Sequence, residues 1–408
     1  MPLEAIGRLL LQVSRPPSAR QIRRESGIRT RGVRASHMTS TLKILITNNF
    51  LSAHTGTEVV VLDLARELKR QGHQPAVFSR KLGPISSELT NLGMEVTSDL
   101  TSLSMVPDVI HGQHHPQLVE ALLQFPSIPA VCVCHDATSP LDEPFYFPRV
   151  LRYVPVDDRC RKRVSSAAGI PLSRIEVIWN AVDLERFRPR DALPSKPKRA
   201  VVFSNKITQL PAVRSASNRM GLELDVLGLD AGTAVSNPES VLPRYDIVFA
   251  KARCALEAMA VGNAVVLCDF AGVGPMVTSE NFDPLRRMNF GQGVLLNPLR
   301  SEYLCAEVDR YDSADAAEVS RRVRTEAGLV HATQRWVELY TDVLAEFRQI
   351  NLDSSSELRA LATYFRKWNF ESRVDWEREQ LQKLQVIPFV GNELFRIAKR
   401  MFHRLTKS

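Results

Sequence analysis

Residues 43–79 read KILITNNFLSAHTGTEVVVLDLARELKRQGHQPAVFS. Lys43–Thr47 is a short apolar run closed by two asparagines, the pattern of a buried strand. Beyond the polar loop HTGTE, the apolar side chains Val60, Leu64 and Leu68 recur at helical spacing, and Gly72 ends the helix. PAVFS at 75–79 reads as a second strand. Strand, helix and strand in so short a span make a β-α-β unit. The helix carries the chain back across the sheet, so parallel pairing is expected.

The alternation continues in both directions. VIHG (109–112), AVCVCHD (130–136), YVPVD (153–157) and IEVIWNAVD (175–183) read as further strands of this half, with a helix near 116–124. Residues 190–199 (RDALPSKPKR) have no apolar face and serve as a linker. A second series follows: AVVFSN (200–205), ELDVLG (223–228), DIVFA (246–250), AVVLCD (264–269) and GVLLNP (293–298) as strands, with a long helix over about 315–349. A chain of 408 residues exceeds one ordinary core. The expected divisions are an extension at 1–40, one α/β domain at 41–190, a second at 198–350, and a helical basic tail at 351–408. A cleft between the two α/β halves is the expected site.

The formal net charge is +8, yet residues 1–37 hold eight Arg against two Glu, so six of those charges lie in the extension. The folded body is nearly neutral, which argues against a nucleic-acid surface. The extension is Arg- and Ser-rich and reads as disordered, transit-like or upstream of a start at Met38. No apolar run approaches the length of a membrane helix. At the other end, residues 394–408 place Leu394, Ile397, Met401, Phe402 and Leu405 near one face and Arg396, Lys399, Arg400, Arg404 and Lys407 around the other. Such a helix either lies on an anionic membrane surface or docks its apolar face on protein. The six cysteines show no CxxC spacing and read as reduced thiols of a cytoplasmic protein.

Four segments carry groups suited to chemistry. In the loop His54-Thr55-Gly56-Thr57-Glu58, Gly56 lets backbone approach a ligand, and the helix N-terminus offers N–H groups to an anion. CVCHDATSP puts His135 just beyond an apolar strand, at the end where α/β sheets open their sites. VVFSNKIT sets Lys206 beyond the first strand of the second half. DIVFAKARCALEAMAVGNAVVLCD holds Glu257, whose carboxylate can accept from two neighbouring hydroxyls. Each has a plain structural alternative: an ordinary turn, a capping or core histidine, a solvated lysine, a solvated helical glutamate. His111, His114 and His115 also end a strand, but no carboxylate triad accompanies them, and no metal or other cofactor is expected.

As an ordered set, over roughly residues 42–350, these segments resemble the family-four glycosyltransferases of GT-B fold, in which two Rossmann-like parallel-sheet domains face a cleft. WNAVDLERFRP (179–189) resembles that family's Asn-x-Val-Asp-x-x-x-Phe-x-Pro segment, with Asp183 as a turn or cap. The resemblance implies transfer of a sugar, with retention, from a nucleoside-diphosphate sugar to a hydroxyl of a glycan, lipid or small-molecule acceptor. It places Gly56 against the donor diphosphate, His135 near the transferred sugar and Lys206 on the diphosphate, with Arg214 as a substitute for a later cation. Glu257 would hold the ribose. In AGVGPMVTSENF (271–282), Gly274, Val277 and Thr278 would meet the nucleotide phosphates. The family carries a second Glu eight positions before Glu257; here that position is Phe249. Lys251 and Arg253 stand beside the expected phosphate site and either bind it or flank the helix. The departure at Phe249 leaves two other readings: a degenerate protein that binds a nucleotide sugar or a partner, and a nucleotide-sugar epimerase.

Overall fold

The computed structural model describes residues 41–368. The extension at 1–40 and the amphipathic segment at 394–408 lie outside the described residues. The first half is a six-stranded sheet built from β1 (Lys43–Thr47), β2 (Gln74–Phe78), β3 (Glu95–Thr97), β4 (Val109–Gln113), β5 (Ala130–Cys134) and β6 (Val150–Pro155). The order is β3-β2-β1-β4-β5-β6 and every pairing is parallel. Its helices are α1 (Gly56–Arg70), α2 (Pro84–Asn91), α3 (His115–Gln124) and α4 (Asp158–Ser165). Ile44, Leu45 and Ile46 are all fully buried, as a parallel strand covered on both faces requires. Gly72 takes a φ of +89° just after α1, a conformation that costs glycine little.

The second half is a five-stranded sheet of β7 (Arg199–Phe203), β8 (Glu223–Leu227), β9 (Ile247–Ala250), β10 (Ala264–Asp269) and β11 (Gly272–Met276), in the order β11-β10-β9-β7-β8. Four strands are parallel, and β11 is an antiparallel edge. The helices are α5 (Leu210–Arg219), α6 (Ala252–Val261), α7 (Phe282–Arg287), α8 (Ser301–Val308) and α9 (Ser313–Glu326). Apolar cores cover both faces of this sheet, one containing Val248 and Leu256, the other Phe249 and Val266.

Three expectations change. The long helix over 315–349 is two helices, α9 and α10 (Leu329–Phe347), separated at Gly328. The residues 175–183 and 293–298 are not strands. Each makes only isolated bridges: Ile175 with Tyr153, Val182 with Gly328, and Asn297 with Val273. The bridge at Val182 explains the helix break. Val182 N–H donates to Ala327 O at 2.9 Å and Leu329 N–H donates to Val182 O at 2.9 Å, so the two chain crossings between the halves are paired side by side. After this crossing the chain returns to the first half. Trp336, Tyr340 and Val343 of α10, and Tyr364 of α11 (Ser354–Lys367), are buried in the first core. Asp183 is the expected turn residue, its carboxylate accepting from Glu185 N–H and Arg186 N–H at 3.0 Å each. Among the described residues, no helix is long and apolar enough to cross a membrane.

Candidate functional site

Both sheets point the C-terminal ends of their strands at a shared cleft, and a cavity of about 490 Å³ opens there. From the first half it is lined by His54, Thr55 and Gly56. From the second it takes Phe203, Asn205 and Leu227–Leu229 beyond β7 and β8, and Arg253, Cys254 and Glu257 of α6. Asn205 Nδ2 donates to the His54 carbonyl at 3.2 Å across the cleft. A cavity of about 480 Å³ under α11 has a mostly apolar lining and holds none of the expected site residues. The cleft is therefore the candidate site.

The loop before α1 is held by Glu58, which is 3% exposed. Its Oε1 accepts from Ser52 N–H at 2.7 Å and from Ala53 N–H at 3.0 Å, and its Oε2 accepts from the Thr55 backbone N–H and hydroxyl. This is a capping box extended into the preceding loop. The first helical bond is Val59 N–H to Thr55 O at 3.0 Å, which leaves the Gly56 and Thr57 N–H groups facing outward from the helix end. A side chain at Gly56 would meet nothing within 4 Å, so the cleft is open at this point.

Glu257 lies on the cavity wall but is 5% exposed, and burial raises its pKa from the ordinary glutamate value against the opposing pull of Arg253. Its Oε1 accepts from Arg253 Nε at 2.7 Å. The Arg253 Nη2 bonds Asp63 of α1, so one guanidinium joins a carboxylate from each half. Arg253 is therefore spent on two carboxylates. Phe249 stands inside β9 and is fully buried. Strand β9 ends at Ala250 and α6 begins at Ala252, with Lys251 the single residue between them. This junction has no loop on which a carboxylate could stand eight positions before Glu257.

His135 sits at the end of β5, its N–H donating to Asp142 at 2.6 Å. Its ring Nε2 is buried without a hydrogen-bond partner among the described residues. Burial, and then its histidine neighbours, push its pKa down to about 3, so the ring is neutral near pH 7. It does not line the cleft cavity but faces a small, mostly apolar one whose lining also includes Asp63, Gln113, Arg253 and Thr333. Lys251 lines a separate crevice of about 130 Å³ with His135, Asp136 and Asn180, and pairs with the buried Asp269.

Several expected residues are not brought together. Lys206 is 68% exposed, lies 3.9 Å from Asp230 and does not line the cavity; its neighbour Asn205 does. Arg214 is exposed on α5. Gly274 lies in the edge strand β11, and the N–H groups of Val277 and Thr278 just beyond it are already bonded within the protein. Val277 N–H donates to Val265 O at 2.8 Å and Thr278 N–H to Asn281 Oδ1 at 2.8 Å. A Cβ on Gly274 would stand 2.8 Å from Val294 O, so that glycine serves packing. The histidines of HGQHH are structural: His111 bonds Tyr340 at 2.7 Å, His114 Nδ1 accepts from Asn49 N–H at 3.1 Å, and His115 bonds Tyr364 at 2.9 Å. Sequence reasoning missed Asp63. Its signal was an acid within the apolar run VVVLDLA, where an unpaired charge would be costly.

Residues 54–186 match the family model Glycosyltransferase Family 4. No curated protein sequence matches the chain significantly. Among solved structures, a glycosyltransferase from Rickettsia africae is similar at 16% identity and a TM-score of 0.55, over 75% of this chain and 99% of that one. Anabaena HepE in complex with UDP and glucose is similar at 15% identity and a TM-score of 0.53, over 74% of this chain and all of the other. Residues 54–186 thus carry a Glycosyltransferase Family 4 domain match, and the two α/β halves have the fold of the GT-B glycosyltransferases.

Proposed function

We propose that the chain transfers a sugar from a nucleoside-diphosphate sugar to an acceptor hydroxyl, with the donor in the cavity between the halves. The observation that carries this reading is Glu257: a buried carboxylate on the cavity wall, with one oxygen held by Arg253 and the other left for a ribose diol. The outward N–H groups at Gly56 and Thr57 suit the diphosphate. His135, neutral and unpartnered at Nε2, faces the small cavity that adjoins the cleft at Arg253, so a contact with the transferred sugar would need the sugar to reach past Arg253. Independence from metal, retention of configuration and a cytoplasmic setting belong to the same reading. Lys206, solvated away from the wall, is given no role in it.

A thermal-shift screen against UDP-, GDP-, ADP- and dTDP-sugars tests the reading, since a ligand of the folded state raises its apparent stability. The expected result is a rise with one nucleotide class, lost in Glu257→Ala by calorimetry. Binding unchanged in that variant would remove Glu257 from the site. The one-residue junction between β9 and α6 favours a second reading, a protein that binds a nucleotide sugar without transferring it. Nucleotide binding with no donor turnover in any acceptor pool would select it.

A further inference from the structure

The Glu257 carboxylate is oriented from the opposite half of the molecule. Asp63 belongs to α1 and is 2% exposed; Glu257 belongs to α6. Arg253 joins them, with its Nη2 on Asp63 and its Nε 2.7 Å from Glu257 Oε1. The second Asp63 oxygen, Oδ1, has no hydrogen-bond partner among the described residues, and Arg66 stands 3.6 Å from it. Arg253 and Glu257 are four apart on one helix, a spacing at which a guanidinium can close a two-pronged pair on the carboxylate. In the structure it does not. Anchored at Nη2 by Asp63, it reaches Glu257 through Nε alone, and Oε2 keeps no partner among the described residues.

We propose that Asp63 is a positioning residue for nucleotide binding: by holding Arg253 it prevents a bidentate Arg253–Glu257 pair and keeps one Glu257 oxygen free for ribose. This rests on the nucleotide reading of the cavity given above. Asp63 itself touches no ligand. Its removal lets the guanidinium close on both Glu257 oxygens, and the ribose loses its acceptor.

The test is calorimetric titration of the full chain with UDP, GDP and ADP. With the nucleotide that binds wild type, Asp63→Asn should bind roughly tenfold more weakly, the loss of one charge-assisted bond. Asp63→Ser is measured alongside, so that one poorly folded variant does not decide the result, and near-UV circular dichroism checks both. The double variant D63N/R253Q has no guanidinium to close on Glu257 and should bind more tightly than D63N. A purely structural role for Asp63 predicts no such recovery. Affinity of both single variants within twofold of wild type, or a double variant no tighter than D63N, overturns the proposal while leaving the nucleotide reading intact. Failure of wild type to bind any nucleotide or nucleotide sugar, those of the four-member screen included, overturns both.

Discussion

Two strand-to-helix junctions face each other across the cleft and solve the same problem in opposite ways. Between β1 and α1 the chain spends eight residues, 48–55, and Glu58 gathers the loop by accepting its backbone N–H groups. Between β9 and α6 it spends one residue, Lys251, and the working groups are helix side chains, Arg253 in the first turn and Glu257 one turn further on. The first junction presents backbone donors and depends on one internal acid. The second presents a carboxylate and depends on an ion pair from the other half. At the second junction the position eight before Glu257 is Phe249, buried inside β9, and the single linking residue leaves no loop there to carry a carboxylate into the cleft.

That contrast can be broken by experiment, the largest effect first. Phe249→Glu, which writes in the expected acid, should not restore a site. It buries a charge within β9 and should cost more than about 5 kcal/mol, enough to leave the chain unfolded by circular dichroism. A folded, more active variant would show that position 249 does reach the cleft.

The first junction stands on a half rich in buried neutral histidines. Burial pushes His111 and His135 to about 3, and His114 and His115 to about 4. Each folded value lies below the unfolded one, so each contributes stability that is complete above pH 6.5 and is lost as pH falls toward its folded value. Asp142 works the other way, because burial raises it to about 6 and protonation then favours the fold. Near pH 5 the unfolded chain should hold about three more protons, a slope of about 4 kcal/mol per pH unit. Urea midpoints should drop steeply from pH 7 to pH 5; a flat profile would contradict the buried neutral rings.

Glu58→Ala should cost about 1–2 kcal/mol, the loss of a capping box and of the acceptor for the Ser52, Ala53 and Thr55 N–H groups. Nucleotide affinity should fall with it, and hydrogen exchange at 52–55 should accelerate. If exchange there does not change, the loop is held by something other than Glu58. Smallest is Lys206→Ala. At 68% exposure it should alter stability by no more than about 0.5 kcal/mol, and nucleotide affinity by less than twofold. A large loss of turnover in that variant would show that the cleft closes onto Lys206.

Much of the architecture was legible because its causes are local. The strands at 43–47, 109–113 and 264–269 are apolar runs of strand length, and the helix ends at Gly72 and Gly262 carry residues that accept a positive φ. Runs that looked equally strand-like at 175–183 and 293–298 make only single bridges. Periodicity reports that a segment is buried, and whether a sheet edge is available to pair it depends on distant chain. The division of one expected helix into α9 and α10 has the same origin, since Gly328 pairs with Val182 far back in the sequence.

For the site, sequence alone determined that Glu257 stands on a helix that follows a short buried strand, and that Gly56 opens another helix at a polar loop. Both follow from neighbours within a few residues. Tertiary structure alone decided that Glu257 is buried beside Arg253 and Asp63, that Lys206 faces solvent, and that Val277 and Thr278 spend their N–H groups on Val265 O and the Asn281 side chain. The physical reason is satisfaction of polar groups. A buried charge or N–H must find a partner, and here the decisive one, Asp63, lies 190 residues from the arginine it holds.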